Sequence, residues 1–250
     1  MMSMKKIVTP CCLFLLCTPA WALVPPDYQE PPSNFNAEVE AGLQLNSGNN
    51  ETKNFNGRTY ITYDSAQTKQ EATLKAYYAA DSNTSTAERY QLFLQSNYKL
   101  QQGYVFGRGE FTWDKFGSYT RISTISTGYG FDLIKNDKNK LSLEVGPGYR
   151  YDLAKESTLE PDPEANRDII LRSAAKYTVK LQEYTSLNAD VTAETGQDNN
   201  TLTLDMSYKN TFIQDWAFKI GMNIKYTEVV PDDSKKTDTI TTFNLLYTFQ

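Results

Sequence analysis

From Phe35 to Asn46 apolar and polar residues alternate without a break: Phe35, Ala37, Val39, Ala41, Leu43 and Leu45 take turns with Asn36, Glu38, Glu40, Gly42, Gln44 and Asn46. Successive side chains of a strand point to opposite faces, so this segment is a strand with one oily side and one wet side. Its length constrains the fold further. Strands in soluble domains average about five or six residues, whereas crossing a bilayer at a tilt takes about 9–11. Residues 35–46 are long enough to span one.

The pattern recurs, separated by turn-rich breaks, over 53–64, 70–81, 88–100, 103–114, 120–133, 141–152, 168–180, 184–195, 200–212, 216–228 and 237–249. Segments 103–114 and 120–133 are glycine-rich and less regular, and Pro147, which has no ladder donor, predicts a bulge. Twelve strands is an even number, which lets both termini lie on one side, as in single-chain bacterial barrels. With the first turn placed outside, the outer loops fall at 47–52, 82–87, 115–119, 153–167, 196–199 and 229–236, so the longest connection is external.

Charge placement decides between a soluble sheet and a membrane barrel. The apolar faces carry almost no Lys, Arg, Asp or Glu near strand middles, where a charge on a lipid-facing barrel position costs about 2–4 kcal/mol. Trp113, Tyr149 and Tyr151 at one end, and Phe212, Trp216, Tyr247 and Phe249 at the other, fit two interfacial girdles. An unpaired sheet edge in lipid costs several kcal/mol per peptide group, so 237–249 must close on 35–46. The expected fold is all-β: a single-domain, twelve-stranded transmembrane antiparallel barrel over 35–250.

Residues 1–22 read as a secretion signal: Lys5 and Lys6, an apolar run from Ile7 to Cys17, then Ala20-Trp21-Ala22 with cleavage after Ala22. Residues 23–34 form a Pro-rich tail. Cys11, Cys12 and Cys17 all lie in the signal, so disulfides are excluded from the mature chain. Without Lys5 and Lys6 the charge is 23 minus 30, or −7, the wrong sign for nucleic-acid binding. The chain has no histidine, which removes the Ser-His and Asp-His arrangements of hydrolases. The acidic positions Asp162, Glu164, Asp232 and Asp233 match no calcium-loop spacing. No enzyme activity, cofactor or metal is expected.

Four stretches, AGLQLNSGNNETKN (Ala41–Asn54), GRGEFTWDKFGSYTRI (Gly107–Ile122), STGYGFDLI (Ser126–Ile134) and LSLEVGPGYRYD (Leu141–Asp152), resemble the DUF481 or YdiY-like family, also called salt-induced outer membrane proteins. The Glu-x-Gly-Pro-Gly-x-Arg-Tyr run, Glu144 to Tyr151, is the most specific of them. The resemblance implies residence in the outer membrane of a Gram-negative bacterium, among its lipid and lipopolysaccharide, after delivery by the barrel-assembly machinery. It also implies an association with salt or osmotic conditions, and brings no substrate or catalytic residue.

Inward parity places Glu38, Glu40, Arg58, Glu71, Lys75, Arg108, Glu110, Glu144, Arg150, Arg172, Lys176, Asp190, Asp205, Lys209, Lys219 and Lys225 in the lumen. Twelve tilted strands give a backbone diameter of about 26 Å, between the packed eight-stranded and the open sixteen-stranded cases. Two functions fit. In one, facing rows of opposite charge form a constriction that selects small polar or anionic solutes. In the other, the same charges form a closed ion-pair network that stiffens a non-conducting structural or surface-interaction barrel. The sharpest constriction candidates are Arg108, Glu110, Glu144, Arg150, Arg172 and Lys176. Their basic members are expected to draw in an anion, with Glu110 and Glu144 pairing to them in the empty state.

Overall fold

The computed structural model describes residues 34–47, 53–81, 84–155, 165–230 and 234–249. The predicted signal and nearly all of the Pro-rich tail lie outside the described residues, as do Glu156, Glu160, Asp162 and Glu164 of the long loop. Twelve strands follow in chain order: β1 (Phe35–Ser47), β2 (Lys53–Asp64), β3 (Thr68–Asp81), β4 (Thr84–Lys99), β5 (Tyr104–Asp114), β6 (Tyr119–Lys135), β7 (Asn139–Ala154), β8 (Ala165–Gln182), β9 (Thr185–Thr195), β10 (Thr201–Ile213), β11 (Trp216–Thr227) and β12 (Thr237–Phe249). Each pairs antiparallel with its sequence neighbours, and β1 closes on β12 with Ala37 opposite Phe249 and Ser47 opposite Thr239. Both ends of the chain's barrel therefore sit at one rim, the terminal end. The opposite rim is the loop end.

This cylinder is inside-out relative to a soluble protein. On β8, Leu171 is 52% exposed while its neighbour Arg172 is 1% exposed. Leu74, Leu94, Ile125, Val145, Ile169, Leu202, Phe218 and Leu245 face outward, whereas Glu40, Gln95, Glu144, Arg150 and Asn244 are buried within. Charged residues are almost never buried in soluble domains unless paired, and large apolar residues are rarely left out in such numbers. Trp113 and Tyr149 are exposed near the loop end, and Trp216, Tyr247 and Phe249 stack edge-on at the terminal end with ring centroids 5.0 and 4.7 Å apart. Tyr151 is half-buried.

Two local expectations are corrected. The connection expected at 82–87 is shorter, because Thr84 to Ala87 belong to β4: Ala87 pairs with Ala79, and Ser85 and Thr84 pair with Ala80 and Asp81 beyond a register shift at Ala79/Ala80. Beyond the oily belt a strand needs no apolar face, so the polar run hid its own pairing. At Pro147 there is no inserted residue: Ser126 opposes Gly148 and Tyr129 opposes Val145, one unbroken register across the proline. Instead, ladder pairing lapses at Thr127 and Gly128, where Gly146 and Gly128 let two backbones approach so closely that a Cβ on either would collide with a carbonyl of the other strand. The β6–β7 register shifts lie elsewhere, at Tyr119/Arg121 and Asp132/Ile134.

Those glycines also set up the interior. Inward positions on β6 and β7 include Gly128, Gly130, Gly146 and Gly148, a bare strip of inner wall. Long side chains from β5 and β8 meet across it. Tyr104 lies over Gly130 so closely that a Cβ there would strike its ring.

Candidate functional site

In the terminal half of the lumen the charges are locked together. Glu144 on β7 accepts from Gln95 Nε2, Tyr104 Oη, Lys176 Nζ and Arg172, each at 2.9 Å. Gln95 Oε1 in turn accepts from Arg108 at 3.0 Å, and Arg108 donates to Glu110 at 3.1 Å. The Arg172 guanidinium also lies 5.7 Å from the centre of the Phe106 ring. Across the lumen Glu40 is held by Arg58, by Lys219 at 2.8 Å and by Asn244 at 2.8 Å, while Glu38 takes Lys209 at 2.7 Å. Burying a charge costs several kcal/mol unless partners surround it. Here every buried carboxylate named has at least one.

Above these networks, toward the loop end, lies a chamber of about 130 Å³. Its lining includes Lys75, Arg108, Glu110, Asp205 and Lys225, together with Phe93. Phe93 is flanked by Lys75 Nζ at 5.2 Å and the Arg108 guanidinium at 5.6 Å from its ring centre. Asp205 accepts from Asn223 at 2.8 Å.

Three loop-end connections fold over part of this chamber and are tied by one asparagine. Asn199, 2% exposed, donates to the Val229 carbonyl at 2.8 Å and accepts from Val229 N at 2.9 Å. Tyr119 Oη donates to that same carbonyl at 2.9 Å. Tyr119 opens β6 and Val229 follows β11, five strands away around a ring of twelve, so their bond crosses the mouth. Arg150 donates to the Asn199 carbonyl at 2.6 Å. Asp168 accepts from the backbone of Gln197 and Asp198 at 3.0 and 3.1 Å, fixing the same loop.

Of the six residues singled out in the sequence, five join one network: Arg108, Glu110, Glu144, Arg172 and Lys176. Arg150 does not. Six residues separate it from Glu144 on the same strand, about 20 Å at roughly 3.4 Å per residue. It belongs to the latch, facing Asp152 at 3.0 Å, Glu194 at 3.4 Å and Asp168 at 3.8 Å. Its partners are therefore these three carboxylates and not Glu110 or Glu144, the pairing expected from the sequence. Arg172 lies deep in β8, opposite Gly146 of β7. Sequence reasoning missed Gln95, Tyr104, Phe93, Tyr119 and Asn199. The first three carry inward parity, and the last two sit at or beyond strand ends, where parity says nothing.

Residues 39–249 match the family described as "Protein of unknown function, DUF481". The chain belongs to the DUF481 family. Over 215 residues it is 21% identical to the uncharacterized protein YdiY of Escherichia coli (strain K12), covering 85% of this chain and 82% of that one. Among solved structures, the translocator domain of the autotransporter NalP from Neisseria meningitidis superimposes with a TM-score of 0.55 at 10% identity, covering 88% of this chain and 90% of that one. The NanC porin gives 0.54 at 12% identity (84% and 98%), and an outer membrane channel from Pseudomonas putida F1 gives 0.52 at 10% (91% and 100%). At these identities the likeness bears on the fold, which the DUF481 barrel shares with them.

Proposed function

We propose that the DUF481 barrel sits in the outer membrane of a Gram-negative bacterium and acts as a narrow, gated passage for small polar solutes. The observation that carries this is the chamber: a polar space lined by both signs of charge, beneath a hydrogen-bonded latch and above an ion-pair floor, inside a wall whose outer face is oily. Even strand number puts the termini together, and single-chain bacterial barrels keep that end in the periplasm. The proposal includes removal of residues 1–22, a periplasmic tail at 23–34, insertion by the barrel-assembly machinery, and lipopolysaccharide around the loop end. The link to salt or osmotic conditions belongs to it too, as a demand for solute movement across the envelope. No catalysis is assigned, because the carboxylates nearest one another in kind, Glu110 and Glu144, are each held by basic partners.

A second function, a non-conducting structural barrel, is favoured by one observation: Glu144 receives four donors and its side chain is fully buried. Planar-bilayer recording of purified protein separates the two. Wild type is expected to open rarely and to a small conductance. Arg150→Ala and Asn199→Ala are expected to raise the open probability by about tenfold, the change that loss of about 1.4 kcal/mol of closed-state stabilisation produces. Silence from all three, with heat-modifiable gel migration showing that each is folded, overturns the passage and leaves the scaffold.

A further inference from the structure

On the outer wall, β6, β7 and β8 bring three basic side chains to one corner of the loop end. Arg121 precedes Ile122, which lines the chamber, and Arg167 precedes Asp168, which is buried beside Arg150. Both arginines are exposed, so they project from the outer face. Lys155, also exposed, continues the outward parity of Tyr149, Tyr151 and Leu153 just past the end of β7. Arg121 stands opposite Leu153 and Arg167 opposite Tyr151, so the arginines flank β7 from either side. Two strand spacings of about 4.8 Å and a two-residue stagger put their Cα atoms about 12 Å apart, within the joint reach of two arginine side chains. Among the described residues no carboxylate lies within 4 Å of Arg121, Lys155 or Arg167. The outward positions of these three strands include no Asp or Glu. By contrast, the exposed Lys115 is paired with Glu88 at 3.4 Å.

The level of the patch is set by its neighbours. Arg121 lies opposite Trp113, and Tyr149 lies opposite Ile125 and Ile169. Aromatic rings mark the depth where acyl chains give way to headgroups, so the guanidinium groups stand at headgroup height. An arginine there costs about 0–1 kcal/mol, against about 2–4 at the midplane. Its planar fork matches a phosphate through two parallel hydrogen bonds. We propose that this face of β6, β7 and β8 binds a phosphorylated lipid of the outer leaflet, lipopolysaccharide, with a phosphate of its lipid anchor between Arg121 and Arg167, Lys155 beside it, and acyl chains along Ile125, Tyr149 and Ile169. This rests on the proposed placement of the loop end outside the outer membrane and not on passage through the lumen. Four acids of the long connection, Glu156, Glu160, Asp162 and Glu164, adjoin the patch in sequence and lie outside the described residues, so they compete with the lipid for the arginines in the test.

The test is native mass spectrometry of the purified protein in detergent, titrated with diphosphoryl lipid A and, in parallel, with the same lipid stripped of its phosphates. Wild type is expected to retain lipid A saturably and the stripped lipid at least about tenfold more weakly, a difference that one charge-assisted contact supplies. Arg121→Gln and Arg167→Gln are each expected to weaken lipid A about tenfold and to leave the stripped lipid unchanged. Lys99→Gln, the same loss of charge at the terminal rim, is expected to change neither. Equal retention of the two lipids by wild type overturns the proposal, and so does equal weakening by Lys99→Gln, the mark of unspecific attraction. Inorganic phosphate that displaces lipid A at equal concentration overturns the lipid as occupant. A variant combining Glu156→Gln, Glu160→Gln, Asp162→Asn and Glu164→Gln is expected to retain lipid A no more weakly than wild type. Selectivity for phosphate that appears only in that variant overturns the proposal, because the arginines then serve the loop. Lipid A retained by a protein silent in bilayers removes the passage and keeps the site, and conduction without retention does the reverse.

Discussion

The two halves of this lumen use the same residue types to opposite ends. In the terminal half, Glu144 and Glu40 sit at the centre of donor clusters, their side chains almost fully buried, and every neighbouring cation is committed. In the loop half, Lys75, Lys225 and Asp205 line open space, and the hydrogen bonds that matter most are made by loops across the mouth. The difference comes from what lies opposite each charge. Where glycines strip the wall of β6 and β7, side chains from β5 and β8 reach one another and fill the centre. Where the walls carry Thr192, Thr201 and Thr203 instead, short side chains leave a chamber. Stiffness and access are thus divided along the barrel axis.

The largest expected effect is at Glu144. Glu144→Ala leaves the buried Arg172 and the half-buried Lys176 without their shared carboxylate, a loss of about 3–5 kcal/mol, measured by urea unfolding in detergent. If that variant is no less stable than a chamber variant, the division between the halves fails. Next comes Gly146→Ala, whose added methyl meets the Thr127 carbonyl with backbone on both sides; about 1–3 kcal/mol of destabilisation is expected by the same measurement. Gly130→Ala sharpens this, since it displaces only the Tyr104 ring and so costs less. The smallest stability effect is expected at Asp205→Asn, within about 0.5 kcal/mol, because the residue lines the chamber and makes no ion pair within 4 Å among the described residues. Its readout is a shift of reversal potential toward anions in the open state of Asn199→Ala.

Much of the fold was legible because a bilayer imposes a pattern that survives noise. Strand β2 and strand β12 keep the bounds read from alternation alone, Lys53–Asp64 and Thr237–Phe249. Alternation fails where the bilayer no longer acts, so Thr84 to Ala87 passed for a loop. Lumen membership was equally legible from parity, but depth was not used. Six residues along β7 at roughly 3.4 Å each already separate Arg150 from Glu144. The latch was out of reach: Tyr119 and Val229 meet 110 residues apart through segments with no period, and nothing in Asn199's local sequence marks it as their tie.

A single strand carries both features at once, the outer oily face and the graded interior. The most direct measurement is collision accessibility of nitroxide labels at successive β10 positions in lipid, using single cysteines in a chain whose own three lie at 11, 12 and 17. Leu202, Leu204, Met206 and Tyr208 are expected to collide preferentially with oxygen. Thr203 and Asp205 are expected to favour a water-soluble nickel chelate, and Lys209, bound to Glu38 at 2.7 Å, to be shielded from both. Loss of the two-residue alternation, or nickel accessibility at Lys209 equal to that at Thr203, contradicts the division of this barrel into an accessible chamber and a tightly packed terminal half.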